Sequence, residues 1–131
     1  MGVFILLYGI LFCNLEYLTI GCIFAKEFIT YIFMRIFTEK TLKEYIEEHP
    51  SCRTALQDWV EKVKKAEWHT FSDIKSTFNS VDAVGNGRYV FNIKGNDYRL
   101  IAIIRFTPQF VYIRFIGTHA EYDKISDIQN I

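Results

Sequence analysis

The 131 residues suit one domain with at most a short appendage. Fifteen basic against fifteen acidic side chains leave no formal net charge, which excludes attachment to nucleic acid by bulk charge while leaving a local basic face open. A 50% hydrophobic, 17% aromatic composition excludes wholesale disorder; three scattered cysteines (Cys13, Cys22, Cys52) without a CxxC pair, and three histidines (His49, His69, His119) without HxxxH spacing, argue against a disulfide framework and a metal enzyme.

Positions 1–33 carry only Glu16, Lys26 and Glu27 as charges, and Val3 through Ala25 is nearly continuous hydrocarbon. Three readings compete. A transmembrane helix needs roughly 20 apolar residues, but Glu16 would sit mid-span. A signal peptide or buried helix is the second, although no Lys or Arg precedes Lys26 to form a basic n-region. In the third, the start is assigned too early and the native chain opens at Met34; Phe, Ile, Leu and Tyr dominate the leader, as AU-rich upstream sequence would encode. The remaining charges all lie in 34–131, where apolar and polar residues alternate as in a soluble domain.

From Met34 the chain reads as Arg35–Thr38 strand, then a helix from Glu39 to Glu48 with Leu42, Tyr45 and Ile46 on one face and Glu39 four residues before Lys43. His49-Pro50 stops it, and Ser51 can cap a second helix over 51–66 whose stripe is Ala55, Leu56, Trp59, Val60 and Val63. Lys62, Lys64 and Lys65 project from its end. Ser72-Asp73 starts a helical turn through Phe78, and Gly85-Asn86-Gly87 opens a loop. Arg88–Lys94, Asp97–Phe106 and Val111–Thr118 read as strands, with Gly95-Asn96 as a two-residue hairpin loop. The class is α+β: a first strand and helices packed on an antiparallel sheet, then a short C-terminal helix.

The hairpin fixes a register in which Tyr89, Phe91 and Ile93 face Ala102, Leu100 and Tyr98 in the core. The opposite face pairs Asn92 with Arg99 and Lys94 with Asp97, and adds Arg88 and Arg105. Placing Val111, Ile113 and Phe115 in the same core selects a loop at Thr107–Phe110, with Phe106 opposite Val111 and Arg99 opposite Thr118; Tyr112 and Arg114 then join the polar face. Thr118-His119-Ala120-Glu121 has the capping-box pattern for a helix over 119–128 that buries Ile125 and Ile128 and holds Tyr122 one turn from Arg99. A helix start beside arginines suits phosphate. Taken singly, His119 reads as a structural hydrogen-bonding residue, and Arg99 as the partner of Glu121 or Asp123. Together, Asn92, Arg99, Arg114, His119 and Tyr122 point to a phosphodiester site. The Lys62–Lys65 cluster reads most simply as a solvated helix end, Trp59 and Trp68 as core, and Cys52 as structural.

Val90-Phe91-Asn92-Ile93-Lys94-Gly95-Asn96, Val111 through His119, and Glu121-Tyr122-Asp123-Lys124-Ile125 resemble the HigB family of type II toxin–antitoxin toxins, as do Trp59 through Trp68 and Asp73-Ile74-Lys75. The resemblance begins at Met34 and covers none of 1–33, which favours the misassigned start and a cytoplasmic protein over an inner-membrane anchor. It implies a RelE-like fold and an mRNA endonuclease working on translating ribosomes without metal or cofactor. It also implies a HigA-like antitoxin that joins the toxin to DNA only indirectly. On that mapping Arg99 and Arg114 stabilise phosphorane charge and His119 moves protons as general acid or base. Tyr122 positions a base, Asn92 orients the phosphate or Arg99, and Lys94, Arg88, Lys62, Lys64 and Lys65 meet RNA backbone. Two other functions fit the same residues: a toxin of this fold acting on DNA gyrase, and a membrane-anchored, non-enzymatic binding module.

Overall fold

The sheet is assembled from strands whose alternate residues take opposite fates. A computed structural model describes residues 33–131; positions 1–32 of the apolar leader, and the readings placed on them, lie outside the described residues. Within Met34–Ile131, which forms one compact unit, the order is β1 (Arg35–Phe37), α1 (Glu39–Glu48), a 3-10 turn (Pro50–Cys52), α2 (Arg53–Lys65), α3 (Phe71–Thr77), β2 (Asp82–Gly85), β3 (Arg88–Ile93), β4 (Tyr98–Arg105), β5 (Phe110–Thr118) and α4 (His119–Asp123). The five strands form a single sheet ordered β1-β5-β4-β3-β2, antiparallel except for the parallel β1–β5 pair. This is the expected α+β architecture.

The helices cover one face. Leu42 of α1 and Leu56, Trp59 and Val63 of α2 are buried against Phe91, Ile93, Leu100, Ala102, Ile104, Val111 and Ile113. Phe78 joins the two layers: its ring lies 5.2 Å from Phe91 and 6.3 Å from Trp59, and the Trp59 and Phe91 rings meet edge to face at 5.3 Å. Full burial of each such aliphatic or phenyl side chain stabilises by about 1.5–3 kcal/mol, so this apolar layer carries most of the fold. Trp59 and Trp68 are core residues, each 1% exposed.

Several local expectations are corrected. Ser51 does not cap α2; the 3-10 turn precedes that helix, and the Ser51 hydroxyl instead bonds the Tyr98 hydroxyl at 2.7 Å. Glu39 pairs with Lys64 across the helices at 2.8 Å rather than with Lys43. The helical turn after α2 starts one residue earlier than Ser72, because Thr70 and Asp73 form a complete capping box. Asp82–Gly85, where no element was expected before the Gly85 loop, is the edge strand β2, and Gly85, Asn86 and Gly87 turn it back with φ of 96°, 55° and 70°. Glycine and asparagine tolerate this left-handed run where other residues would be strained.

The β3–β4 register is as expected, with Asn92 opposite Arg99 and Phe91 opposite Leu100. The β4–β5 register is not. Arg105, not Phe106, closes the ladder opposite Phe110, and the pairing slips between Ile101 and Ala102, leaving Arg114 in a bulge. Beyond the bulge Ile116, rather than Phe115, packs on the core, and Arg99 lies opposite Gly117 instead of Thr118. One extra residue reverses which side chains face inward, which strict alternation could not foresee. Thr38, just past β1 with φ 68°, sits beside the bulge: its hydroxyl donates to the Ile113 carbonyl at 3.2 Å and accepts from the Ile113 amide at 3.1 Å.

Helix α4 ends at Asp123 rather than continuing to 128. The residues after it are non-helical and strap the second sheet face: the Arg88 guanidinium donates to the Ile131 carbonyl at 2.7 and 3.0 Å, and the Asn86 amide to the Gln129 carbonyl at 3.2 Å. Val90 and Ile101 on that face are 3% and 0% exposed.

Candidate active site

Arg99 is the centre of the arrangement. It lies on the sheet face opposite the helices and is only 8% exposed. The β3–β4 turn holds it: its guanidinium donates to the Asn96 side-chain oxygen at 2.7 Å and to the Asn96 and Tyr98 carbonyls at 3.2 and 3.3 Å. That turn is closed by an Asp97 amide to Lys94 carbonyl bond of 3.3 Å and by positive φ at Lys94 and Gly95, 52° and 66°. Lys94 and Asp97 thus belong to the turn and not, as the alternation suggested, to a cross-strand pair. Among the described residues no carboxylate comes within 4.0 Å of Arg99. A charge this buried and held only by neutral oxygens is unusual, because desolvation is normally offset by an opposite charge.

The two acids that could have neutralised Arg99 are otherwise engaged. Glu121 accepts the Thr118 amide at 2.7 Å while Thr118 accepts the Glu121 amide at 3.2 Å, completing the capping box. Asp123 takes the His119 Nδ1 position at 2.9 Å, one helical turn away. The His119 amide is bonded to the Asp97 carbonyl at 3.0 Å, so the β3–β4 turn and α4 are joined by the backbone. These bonds also occupy the start of α4, and the Glu121 carboxylate sits there. The expected phosphate seat on this helix end is therefore already filled.

Tyr122 lies over Arg99, with the guanidinium carbon 6.0 Å from the ring centroid. Gly117, directly across the ladder, has no room for a side chain: a Cβ there would lie 2.5 Å from the Phe115 ring and 2.6 Å from the Glu121 carboxylate. Asn92 is the partner of Arg99 on β3. One end of the sheet therefore gathers Asn92, Arg99, His119 and Tyr122, with Asn96 and Asp123 as supports.

The other candidate residues lie elsewhere. Arg114 projects from the bulge into a cavity of about 360 Å³ lined by Thr41, Glu44, Tyr45 and Glu48 of α1, with Phe115 and Ile116. Burial, followed by the Glu121 charge, pushes the buried hydroxyl of Tyr45, one of those lining residues, up to about 12, so it stays protonated. Lys62 pairs with Asp58 at 2.8 Å, Lys64 with Glu39, and Lys65 is exposed beside them on α2. Arg88 is held by the C-terminal strap. Burial raises the Cys52 thiol, which donates to the His49 carbonyl at 3.0 Å, consistent with a structural residue. Sequence reasoning missed Asn96 and Asp123. Both were visible by spacing: Asn96 occupies the turn three residues before Arg99, and Asp123 follows His119 by four on a helix.

Residues 52–125, more than half of the chain, match the HigB toxin model, described as the RelE-like toxic component of a toxin–antitoxin system. The chain belongs to the HigB toxin family. It is 35% identical over 92 residues to the mRNA interferase toxin HigB of Escherichia coli (strain K12), a match spanning 69% of this chain and 88% of that protein. The mRNA interferase HigB of Shigella flexneri gives the same identity and coverage. The HigB of Escherichia coli O6:H1 (strain CFT073) is 28% identical over 95 residues, 71% of this chain and 92% of its own. As the toxic component of such a system, a HigB family member has an antitoxin as its partner. The matched span includes both the Asn96–Arg99 turn and the His119–Asp123 helix. Among the described residues, no group of three or more His, Cys, Asp or Glu could hold a metal ion, and no helix is long and apolar enough to cross a membrane.

Proposed function

We propose that this HigB family member is an endoribonuclease that cleaves mRNA on translating ribosomes in the cytoplasm, without metal. The observation that carries the reading is the buried Arg99 guanidinium, desolvated and held by neutral oxygens, where a phosphodiester would supply the missing negative charge. The names of the relatives favour RNA over DNA gyrase as the target.

In this reaction the ribose 2′-oxygen attacks the adjacent phosphorus as its proton leaves to a base, and the bond from phosphorus to the 5′-oxygen breaks as that oxygen gains a proton. The products are a 2′,3′-cyclic phosphate and a 5′-hydroxyl. Arg99 stabilises the charge that accumulates on the non-bridging oxygens. His119 transfers a proton; with Nδ1–H donating to Asp123, Nε2 is left to accept one. Tyr122, whose ring packs on Arg99, offers an aromatic face to a base, and Asn92 orients the phosphate from the neighbouring strand. Lys94, at the exposed turn, and the Lys62–Lys65 end of α2 meet RNA backbone, including that of the ribosome. Arg114 acts outside this group, as does Arg88 while the strap holds it. A HigA-like antitoxin neutralises the toxin, and DNA is reached only through that complex.

The test is primer extension on a message after induction. Arg99→Ala should abolish new cleavage ends and growth arrest while the protein remains folded and still co-purifies with its antitoxin. Undiminished cleavage by a folded Arg99→Ala protein would sink the site.

A further inference from the structure

The face that carries Arg99 continues past the strap to the other end of the sheet. There the registers set two rows of side chains. One runs Arg35, Phe110, Arg105 across β1, β5 and β4; the next runs Phe37, Tyr112, Ile103. None of these belongs to the core, because their strand neighbours Ile36, Val111 and Ile104 are the residues that face the helices. The aromatic rings form a connected surface: Phe37 stacks on Tyr112 at 4.9 Å with planes 14° apart, and Phe110 meets Phe37 edge-on at 5.0 Å. Arg35 rests over the Phe37 ring, 5.9 Å from its centroid.

Both arginines are exposed, and among the described residues no carboxylate lies within 4.0 Å of either. Neither row contains an acid. Two unpaired guanidinium groups thus flank a phenyl ring, with their backbones roughly 10 Å apart across two strand spacings. Arg105 lies six residues along β4 from Arg99, about 20 Å away. A protein partner's apolar face would leave both charges uncompensated. Aromatic faces beside unpaired cations are complementary to unpaired bases on a phosphate backbone.

We infer that Arg35, Phe37, Arg105, Phe110 and Tyr112 form a second contact surface for single-stranded RNA, separate from the cleavage site. It stacks bases and holds phosphates of the nucleotides remote from the scissile bond. This rests on the RNA-cleaving function proposed above and adds a substrate subsite to it. The surface makes longer RNA bind more tightly than short RNA, and it contributes nothing to the chemical step.

The experiment compares the full chain with the Arg35→Gln/Arg105→Gln double variant for binding a fluorescein-labelled 12-nucleotide single-stranded RNA by anisotropy across salt concentrations. Both positions are exposed, so the fold should not depend on them. The double variant should bind about tenfold or more weakly at low salt, with a salt slope shallower by about 1.4, the value for two lost phosphate contacts. On translating ribosomes the double variant should cut a message at the same positions as the unaltered chain, read by primer extension. Because Tyr112→Leu could disturb β5, stacking is tested on the unaltered chain by photocrosslinking a 4-thiouridine-substituted RNA, with adducts expected at Tyr112 or Phe110. Unchanged affinity and salt slope, or adducts confined to Tyr122, would overturn the subsite and leave the cleavage site standing. If the unaltered chain cuts a message on ribosomes but does not bind the 12-nucleotide RNA, the subsite falls alone; if it leaves no cleavage ends in a ribosome-bound message, both proposals fall together.

Discussion

Along β4 the two faces of the sheet alternate residue by residue. Leu100, Ala102 and Ile104 point into the helix-covered layer and are buried among apolar neighbours. Arg99, Ile103 and Arg105 point the other way, Arg99 buried without a carboxylate and Arg105 exposed. The first face is closed by apolar packing within the molecule, and the second carries guanidinium groups without a carboxylate partner among the described residues. Stability and chemistry can therefore be separated by adjacent positions on one strand, and substitutions should fall into two classes. Helix-face changes lower stability and reduce activity only through unfolding; changes at the charged open-face positions Arg99 and Arg105 alter RNA handling in a protein that melts normally, whereas the buried Val90 and Ile101 belong with the scaffold.

The largest effect is expected at Trp59. Its ring packs between Phe78 and Phe91 and is 1% exposed, so Trp59→Ala should cost about 3–5 kcal/mol, a large part of the stability of a small domain. Denaturant melts should show it. On the opposite face, Arg99→Gln should lower the cleavage rate about 10²–10³-fold, the usual loss when one donor to a developing oxyanion is removed. Its melting curve should stay near that of the unaltered protein. A destabilised Arg99→Gln variant with normal chemistry would break the division between the faces.

What the sequence made legible follows the same division. Helices α1 and α2 and strands β3 to β5 announce themselves because apolar periodicity reports the helix face directly. The Asn92–Arg99 pair was legible because a short turn fixes its own register. The Arg99–Gly117 pair was not, since the bulge at Arg114 depends on how β5 meets Thr38 and α1, contacts remote in sequence. The C-terminal strap was misread as helix because Ile125 and Ile128 have helical spacing. Instead the chain turns at 128–130, and the Asn86 and Arg88 side chains bond the Gln129 and Ile131 carbonyls. The choice of Glu121 and Asp123 to serve α4 and His119 rather than Arg99 is likewise a matter of geometry that composition cannot convey.

Gly117 lies where the two classes meet. Gly117→Ala would drive its Cβ into the Phe115 ring and the Glu121 carboxylate, whose capping box holds α4 against the site. The expected cost is about 1–3 kcal/mol, smaller than at Trp59. Unlike Trp59→Ala, the variant should also lose cleavage under conditions where it remains folded, because α4 carries His119 and Tyr122. Full activity with lowered stability would assign Gly117 to the scaffold alone.

The smallest effect sharpens the comparison from the helix side. Asp73 at the start of α3 accepts the His69 amide at 2.8 Å and the Thr70 amide at 3.0 Å, and these bonds, the His69 one foremost, hold its carboxyl below the usual range. A carboxyl depressed in the folded state stabilises above its unfolded pKa of about 3.9, and that contribution disappears as pH falls through the folded value. Asp73→Asn should therefore lower the melting temperature slightly at pH 7, and the gap from the unaltered protein should close as the pH drops below about 4. Because the carboxylate is open to water, the gap should be smaller than that of Gly117→Ala at every pH. Cleavage at neutral pH should be untouched, since α3 packs on the helix-covered side. A gap that widens in acid would reverse the sign of this linkage, and a change in cleavage rate would connect α3 to the open face.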